Sequence, residues 1–294
     1  MKKYIIAIPL FLTLLTAIGC GNGKKSDPQA DAYLADTIIL DADQYVRFET
    51  TAGNFTIKLY RETPLHRHNM VRQARHGRYD GQLFFGIQKG YKIQCGDINS
   101  KNAKPGEQLG ISEEYDTIAS EIIPTRFYHK RGAVGQASLT QFSFSTSQQF
   151  YIVTGKKSKP ADLSAQEKVI NKRYRKVVKD SITQQYADDL RQWQKYKENK
   201  KISKLNDKLN KQADEIMATR KPFMYSQEQS DDYMYNGGVP SLDGLYTVFG
   251  EVIEGYDVIE AISNMHTDRN YRPDPDVRIN RAYVLDSAPE STAE

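Results

Sequence analysis

The chain is poor in several features that would place it in a functional class at once. It has two cysteines, Cys20 and Cys95. If the first is consumed in N-terminal processing, one thiol remains and no disulfide framework can be built. Cys95 then reads as a small residue packed beside a strand. Long apolar runs are also scarce. The one near the N-terminus, Tyr4–Ile18, falls short of the roughly twenty residues that span a bilayer, but behind the basic Met1-Lys2-Lys3 it has the length of a secretory signal core. Among five histidines, His66, His68 and His76 lie close together. Their spacing does not give the two inward-facing ligands four apart that a helical metal site needs, so they read as surface helix residues. No metal and no cofactor is expected. The basic residues lack interleaved stacking aromatics, and with an export signal ahead of them this argues against nucleic acid as a partner.

At its start the chain carries Ala17-Ile18-Gly19-Cys20, small residues before a cysteine that resemble a bacterial lipobox with alanine in place of the usual leucine. The reading is a signal peptide over 1–19 and a lipidated Cys20 as first mature residue. That would place the protein in the bacterial envelope, anchored through its lipid on the periplasmic or surface side. Ordinary signal peptidase cleavage is the alternative. Residues 20–43 are polar, with Gly, Asp, Ser and Pro, and read as a tether; 287–294 read as a disordered tail.

Beyond the tether, Tyr45–Thr50 and Asn54–Tyr60 alternate apolar and polar residues around Thr51-Ala52-Gly53, which predicts an opening hairpin. Pro64 marks a helix start, Leu65, Met70, Val71 and Ala74 share one face, and Gly77 stops it. Two further turns, Tyr79-Asp80-Gly81 and Lys89-Gly90, punctuate the apolar runs Leu83–Ile87 and Tyr91–Gln94. Asp257–Ser263 predicts a second helix and Val277–Leu285 a closing strand.

Between these parts, Lys156–Lys221 holds nineteen Lys or Arg against nine Asp or Glu, about +10, while the rest of the chain is slightly acidic. Ile170, Tyr174, Val177, Ile182, Tyr186, Leu190 and Trp193 recur at helical spacing, as do Ile202, Leu205, Leu209 and Ile216. A pair of helices follows, packed as a hairpin or laid across the rest. Its charge suits acidic partners or anionic lipid, or is simply a solvated face. The separate pattern predicts that Lys156–Lys221 can be replaced by a short linker with the remainder still folded.

The stretch Tyr79–Asp97, YDGQLFFGIQKGYKIQCGD, resembles the signature of the cyclophilins, peptidyl-prolyl isomerases that carry YDG-x-x-F-H-R-V-x-x-x-F-M-I-Q-G-G-D. Tyr79, Asp80, Gly81, Phe84, Gly90, Ile93, Gln94, Gly96 and Asp97 fall in register. Gln148–Thr154 resembles S-Q-F-F-I-T, and Val239–Val252 resembles W-L-D-G-x-H-x-V-F-G-x-V. The run from His129 to Ala137 resembles G-x-L-x-M-A, with Gln136 at the methionine.

The resemblance implies an all-β fold with helical additions, a closed antiparallel cyclophilin-type barrel capped by two helices. It is formed by 44–155 and 237–286, with 156–236 as a basic helical insertion. It also implies a substrate groove of Phe84, Tyr91, Lys92, Gln94, Gln136, Gln149, Tyr151, Leu242 and Tyr246. Several of these differ from the family: Tyr91-Lys92 stand for Phe-Met, Tyr151 for phenylalanine, Ser241 for tryptophan and Tyr246 for histidine. Phe85 takes the place of a histidine, and the catalytic arginine would stand at Gly86. The buried hydroxyl that Tyr151 adds needs a partner. The implied function is a peptidyl-prolyl isomerase or folding factor of the envelope, acting on proline-containing segments or unfolded envelope proteins. The missing arginine implies reduced activity. The alternative is a non-catalytic module of the same fold that holds extended peptide or a partner protein.

Overall fold

The computed structural model describes residues 42–111, 116–138 and 144–289. The signal segment, Cys20, most of the tether and the end of the tail lie outside the described residues. Among the described residues ten strands form in chain order: β1 (Gln44–Thr50), β2 (Gly53–Leu59), β3 (Gly86–Gln88), β4 (Lys92–Cys95), β5 (Thr117–Ala119), β6 (Ala133–Gln136), β7 (Phe144–Thr146), β8 (Phe150–Val153), β9 (Val248–Glu254) and β10 (Ile279–Leu285). Eight pair in the order β10-β1-β2-β9-β6-β8-β4-β3, and β5 pairs with β7 as a separate ribbon. The opening hairpin forms as its alternation predicts, Thr50 opposite Gly53.

The sheet is a curled antiparallel half-barrel rather than a closed one. β3 and β10 are its edges. Between them run the Leu83–Arg278 bridge and a few backbone bonds such as Phe84 N–H to the Val277 carbonyl.

Two helices, α1 (Pro64–Arg75) and a shorter one over Tyr256–Ser263, send Met70, Val71, Ala74, Ile259 and Ile262 into one core with Val46, Phe48, Phe55, Ile57, Ile93, Phe150 and Ile152. Phe48 stacks on Phe55 at 4.9 Å between ring centres. Leu65, expected on this face, is exposed instead.

The histidines of α1 are corrected as well. His66 and His68 are buried and only His76 is at the surface. For His66 the cause is Glu121, which accepts from the Leu65 and His66 backbone N–H groups and lies 2.7 Å from His66 Nδ1. It satisfies N–H groups that a helix start leaves without an internal partner, and His66 Nε2 meets Ser145 Oγ at 3.0 Å.

The insertion is helical as its periodicity predicts: α2 (Pro160–Thr183), α3 (Ala187–Lys195), α4 (Asn199–Ala218) and α5 (Gln227–Asp231), with the Tyr256–Ser263 helix following as α6. α2 and α4 pack as a hairpin, burying Leu163, Ile170, Leu205, Leu209 and Ala213.

The insertion does not pack as a separate body. Leu163, Ile170, Phe223, Tyr225 and Tyr233 share a core with Tyr128 of the sheet domain. The chain leaves at Gly155 and returns at Gly238, so close that a Cβ on Gly155 would lie 2.1 Å from the Gly238 carbonyl oxygen. Backbone bonds then fasten the return to the 129–131 segment: Arg131 N–H donates to the Gly237 carbonyl and Val239 N–H to that of His129. The described residues accordingly all fall in one compact unit.

Candidate functional site

β4 and β8 carry two faces because successive side chains in a strand alternate. Ile93 opposes Ile152 and Cys95 opposes Phe150 on the inner, core face. Lys92 opposes Val153 and Gln94 opposes Tyr151 on the outer face. Around that outer face lies a groove of about 380 Å³, lined by Gln88, Tyr91, Lys92, Gln94, Gly110, Ala137, Ser138, Thr146, Gln149, Tyr151, Leu242 and Tyr246. Seven residues of the expected groove therefore meet there: Tyr91, Lys92, Gln94, Gln149, Tyr151, Leu242 and Tyr246. The other two lie elsewhere. Phe84 is fully buried in the main core, edge-on to Phe55. Gln136 opposes Phe150, is fully buried and donates to the Thr146 carbonyl at 2.7 Å.

The wall is held by a one-directional chain of hydrogen bonds. Gln149 Nε2 donates to the Gly110 carbonyl at 3.3 Å, which leaves its Oε1 to accept from Gln94 Nε2 at 2.8 Å. Gln94 Oε1 then accepts from Lys92 Nζ, also at 2.8 Å. The Lys92 ammonium stands 4.7 Å from the centre of the Tyr151 ring, within cation–π range. Desolvation lowers its pKa to about 8. The groove lining contains no carboxylate among the described residues, so nothing there offsets the loss of water around the ammonium.

Tyr151 is buried because Gly135, opposite it on β6, has no side chain; a Cβ there would lie 2.3 Å from the ring's Cζ. Its hydroxyl meets His129 Nε2 at 2.8 Å, and His129 Nδ1 meets Asp243 Oδ1 at 2.7 Å. The second oxygen of Asp243 accepts from Tyr225 at 2.8 Å and from Tyr233 at 2.6 Å, and Arg173 donates to its backbone carbonyl. Burial first, then Tyr246 and Tyr91 for Tyr151 and the Asp243 charge for Tyr233, push both phenols well above their ordinary range. A buried carboxylate with this many donors is satisfied without a cation. Residues of the insertion thus support a groove-lining ring through Asp243 and His129. His129 and Asp243 were not singled out as site residues from the sequence. They are 114 positions apart, and the one signal was the need of a buried tyrosine hydroxyl for a partner.

Gly86 opposes Gln94, and a Cβ built on it would lie 3.3 Å from Gln94 Cβ. A side chain there would share the Gln94 wall. Phe85 is buried against Gly110, whose Cβ would lie 2.4 Å from the Phe85 ring. Cys95 is free and fully buried, and burial raises its thiol well above the usual range. Among the described residues no cluster of three His, Cys, Asp or Glu is arranged to hold a metal ion, and no helix is long and apolar enough to cross a membrane.

A sequence profile described as "Cyclophilin type peptidyl-prolyl cis-trans isomerase/CLD" matches residues 45–170 and 165–284. The human protein "Peptidyl-prolyl cis-trans isomerase-like 4" is 49% identical over 45 residues, 15% of this chain and 9% of that protein. The human "NK-tumor recognition protein" is 55% identical over 46 residues, 16% of this chain and 3% of that one. The matched segments thus span a small part of these curated relatives. A crystal structure of a Cryptosporidium parvum cyclophilin type peptidyl-prolyl cis-trans isomerase is similar with a TM-score of 0.48 at 18% identity, covering 84% of this chain and all of that one. A second structure of that protein, in the presence of the dipeptide Ala-Pro, has a TM-score of 0.47, also at 18% identity, and covers 83% of this chain.

Proposed function

Since the chain belongs to the cyclophilin-type peptidyl-prolyl cis-trans isomerase family, we propose that the groove on the outer face of β4 and β8 binds X–Pro segments and accelerates their cis–trans interconversion. The observation that carries this reading is the convergence of Tyr91, Lys92, Gln94, Gln149, Tyr151, Leu242 and Tyr246 on that one groove.

The barrier to X–Pro rotation is about 20 kcal/mol because the amide nitrogen shares its lone pair with the carbonyl. A catalyst must bind the twisted amide better than either planar form. Leu242, Tyr91 and Tyr246 offer apolar surface for a proline ring, with Val239 and Val248 packed behind. Gln94 and Gln149, fixed by their mutual bond, offer polar groups to the peptide backbone. Reduced activity is part of the proposal. Gly86 supplies no guanidinium, and losing one preorganised donor costs about a hundred- to a thousandfold, roughly 3–4 kcal/mol.

The test is the catalysed interconversion rate of an Ala-Pro peptide with wild type and with Ala137→Trp, which adds bulk to the groove lining while Gln149, Gln94 and Lys92 themselves stay unchanged. A rate above background that Ala137→Trp abolishes supports the reading. A rate at background in the wild type, with peptide still bound, leaves the non-catalytic module.

Attachment to the bacterial envelope through a lipidated Cys20 is proposed from the sequence alone, on Met1-Lys2-Lys3, the apolar Tyr4–Ile18 and the lipobox-like Ala17–Cys20. Its substrates would then be unfolded envelope proteins. Labelled fatty acid should enter the wild type and not Cys20→Ser; no incorporation in either ends that proposal.

A further inference from the structure

We propose that Lys92 is the catalytic hydrogen-bond donor of this groove, its ammonium taking over the task of the guanidinium that Gly86 cannot supply. The inference rests on the isomerase reading above and goes beyond it in naming the group that acts on the amide nitrogen.

Three observations carry it. The ammonium lies against the groove lining, to which Lys92 belongs, because its contacts are with Gln94 and Tyr151, two other residues of that lining. It is held in place from two sides, by the 2.8 Å bond to Gln94 Oε1 and by the Tyr151 ring at 4.7 Å. A lysine that would otherwise swing on four carbons is thereby confined to one wall. An ammonium has three donors, and the bond to Gln94 uses one. It is also the only charged group among the described residues of the lining. A half-buried cation with no opposing carboxylate costs stability, which a purely structural lysine would not need to do.

The chemistry makes and breaks no covalent bond. As the X–Pro amide twists, its nitrogen becomes pyramidal and regains a lone pair. The ammonium proton is shared with that lone pair and stays on Lys92 when the planar form returns. A donor aimed at charge that develops only in the twisted state lowers the barrier without tightening the ground state.

The titratable groups that face Lys92 are the phenols of Tyr91, Tyr151 and Tyr246, with His129 and Asp243 behind Tyr151. Burial raises both Tyr91 and Tyr151, while desolvation lowers Lys92 from 10.5 to about 8. A donor that deprotonates near 8 gives a rate that falls as pH rises through that value, about tenfold per unit at the limit. Stability moves the other way. Between about 8 and the ordinary 10.5 the unfolded chain binds more protons at this lysine than the folded one, so its contribution to stability rises with pH across that window. A residue kept for packing alone would give no such opposition.

The test measures kcat/KM on an Ala-Pro peptide by NMR exchange from pH 6 to 10, together with Tm, for wild type, Lys92→Met and Lys92→Arg. Lys92→Met is expected to lose at least tenfold at pH 7 with no fall in Tm. Lys92→Arg should keep activity at pH 7 and hold it flat to pH 10, where the wild type has dropped. If Lys92→Met fails to fold, the wild-type and Lys92→Arg profiles decide. A Met variant within twofold of wild type, or a wild-type profile flat to pH 10, overturns the role of Lys92 and leaves the isomerase reading standing. No acceleration by the wild type at any pH overturns both.

Discussion

The two faces of the β4–β8 pair share one backbone and differ in almost everything else. On the inner face Ile93, Cys95, Phe150 and Ile152 are fully buried in an apolar core. On the outer face Lys92, Gln94 and Tyr151 are tied into polar networks that reach Gly110 in one direction and Asp243 in the other. The inner face is decided by volume, since close-packed interiors feel the loss of a single methylene. The outer face is decided by which group can donate to which. A sequence can therefore depart from its family on one face of a strand and keep the fold through the other, as the glycine at 86 and the lysine at 92 do here.

The comparison predicts effects of different kinds, the largest on the inner face. Phe150→Ala removes a ring packed against Phe48 and Tyr79 and should cost about 3–5 kcal/mol in denaturant unfolding, with kcat/KM per folded molecule little changed. A loss of specific activity at unchanged stability would break the division between the faces.

Next comes Asp243→Ala, which leaves the His129 ring and the Tyr225 and Tyr233 hydroxyls without their acceptor. About 3 kcal/mol of stability should be lost, and the insertion should loosen with the groove, seen as faster amide exchange over α2. Faster exchange confined to the groove would show that the insertion does not depend on Asp243.

Gly86→Arg sharpens the outer face. Its guanidinium would share the Gln94 wall and should raise kcat/KM about tenfold, roughly 1.4 kcal/mol of barrier. The gain should be larger above pH 8, where Lys92 is losing its proton. An equal gain at all pH values would mean that the two cations do not serve the same step.

What could be read from the sequence was local. The opening hairpin, the helix after Pro64 and the helical insertion follow from alternation, a proline and a 3.6-residue period, which need only neighbouring residues. The outer groove was legible to the extent that register fixes position, and seven of its residues meet. Register does not report which face a residue takes at the end of a short strand or in the loop before one, so Gln136 and Phe84 were grouped with side chains from which they turn away. His66 was read as a surface residue because the glutamate that caps its helix lies 55 positions on. The docking of the insertion depends on Tyr225, Tyr233 and His129 meeting one carboxylate, and no periodicity reports that. Where the Lys92 ammonium sits depends on the Gln149–Gln94 chain and the Tyr151 ring, which no local pattern reports.

The most direct measurement is a two-dimensional NMR titration of the protein with an Ala-Pro peptide, recording protein amide shifts and the exchange between the peptide's cis and trans signals in the same samples. The account predicts shift changes clustered at Lys92, Gln94, Tyr151, Leu242 and Tyr246, with exchange cross-peaks that grow with protein concentration. Shifts confined to the insertion helices, or peptide bound at the groove with no catalysed exchange, would contradict it.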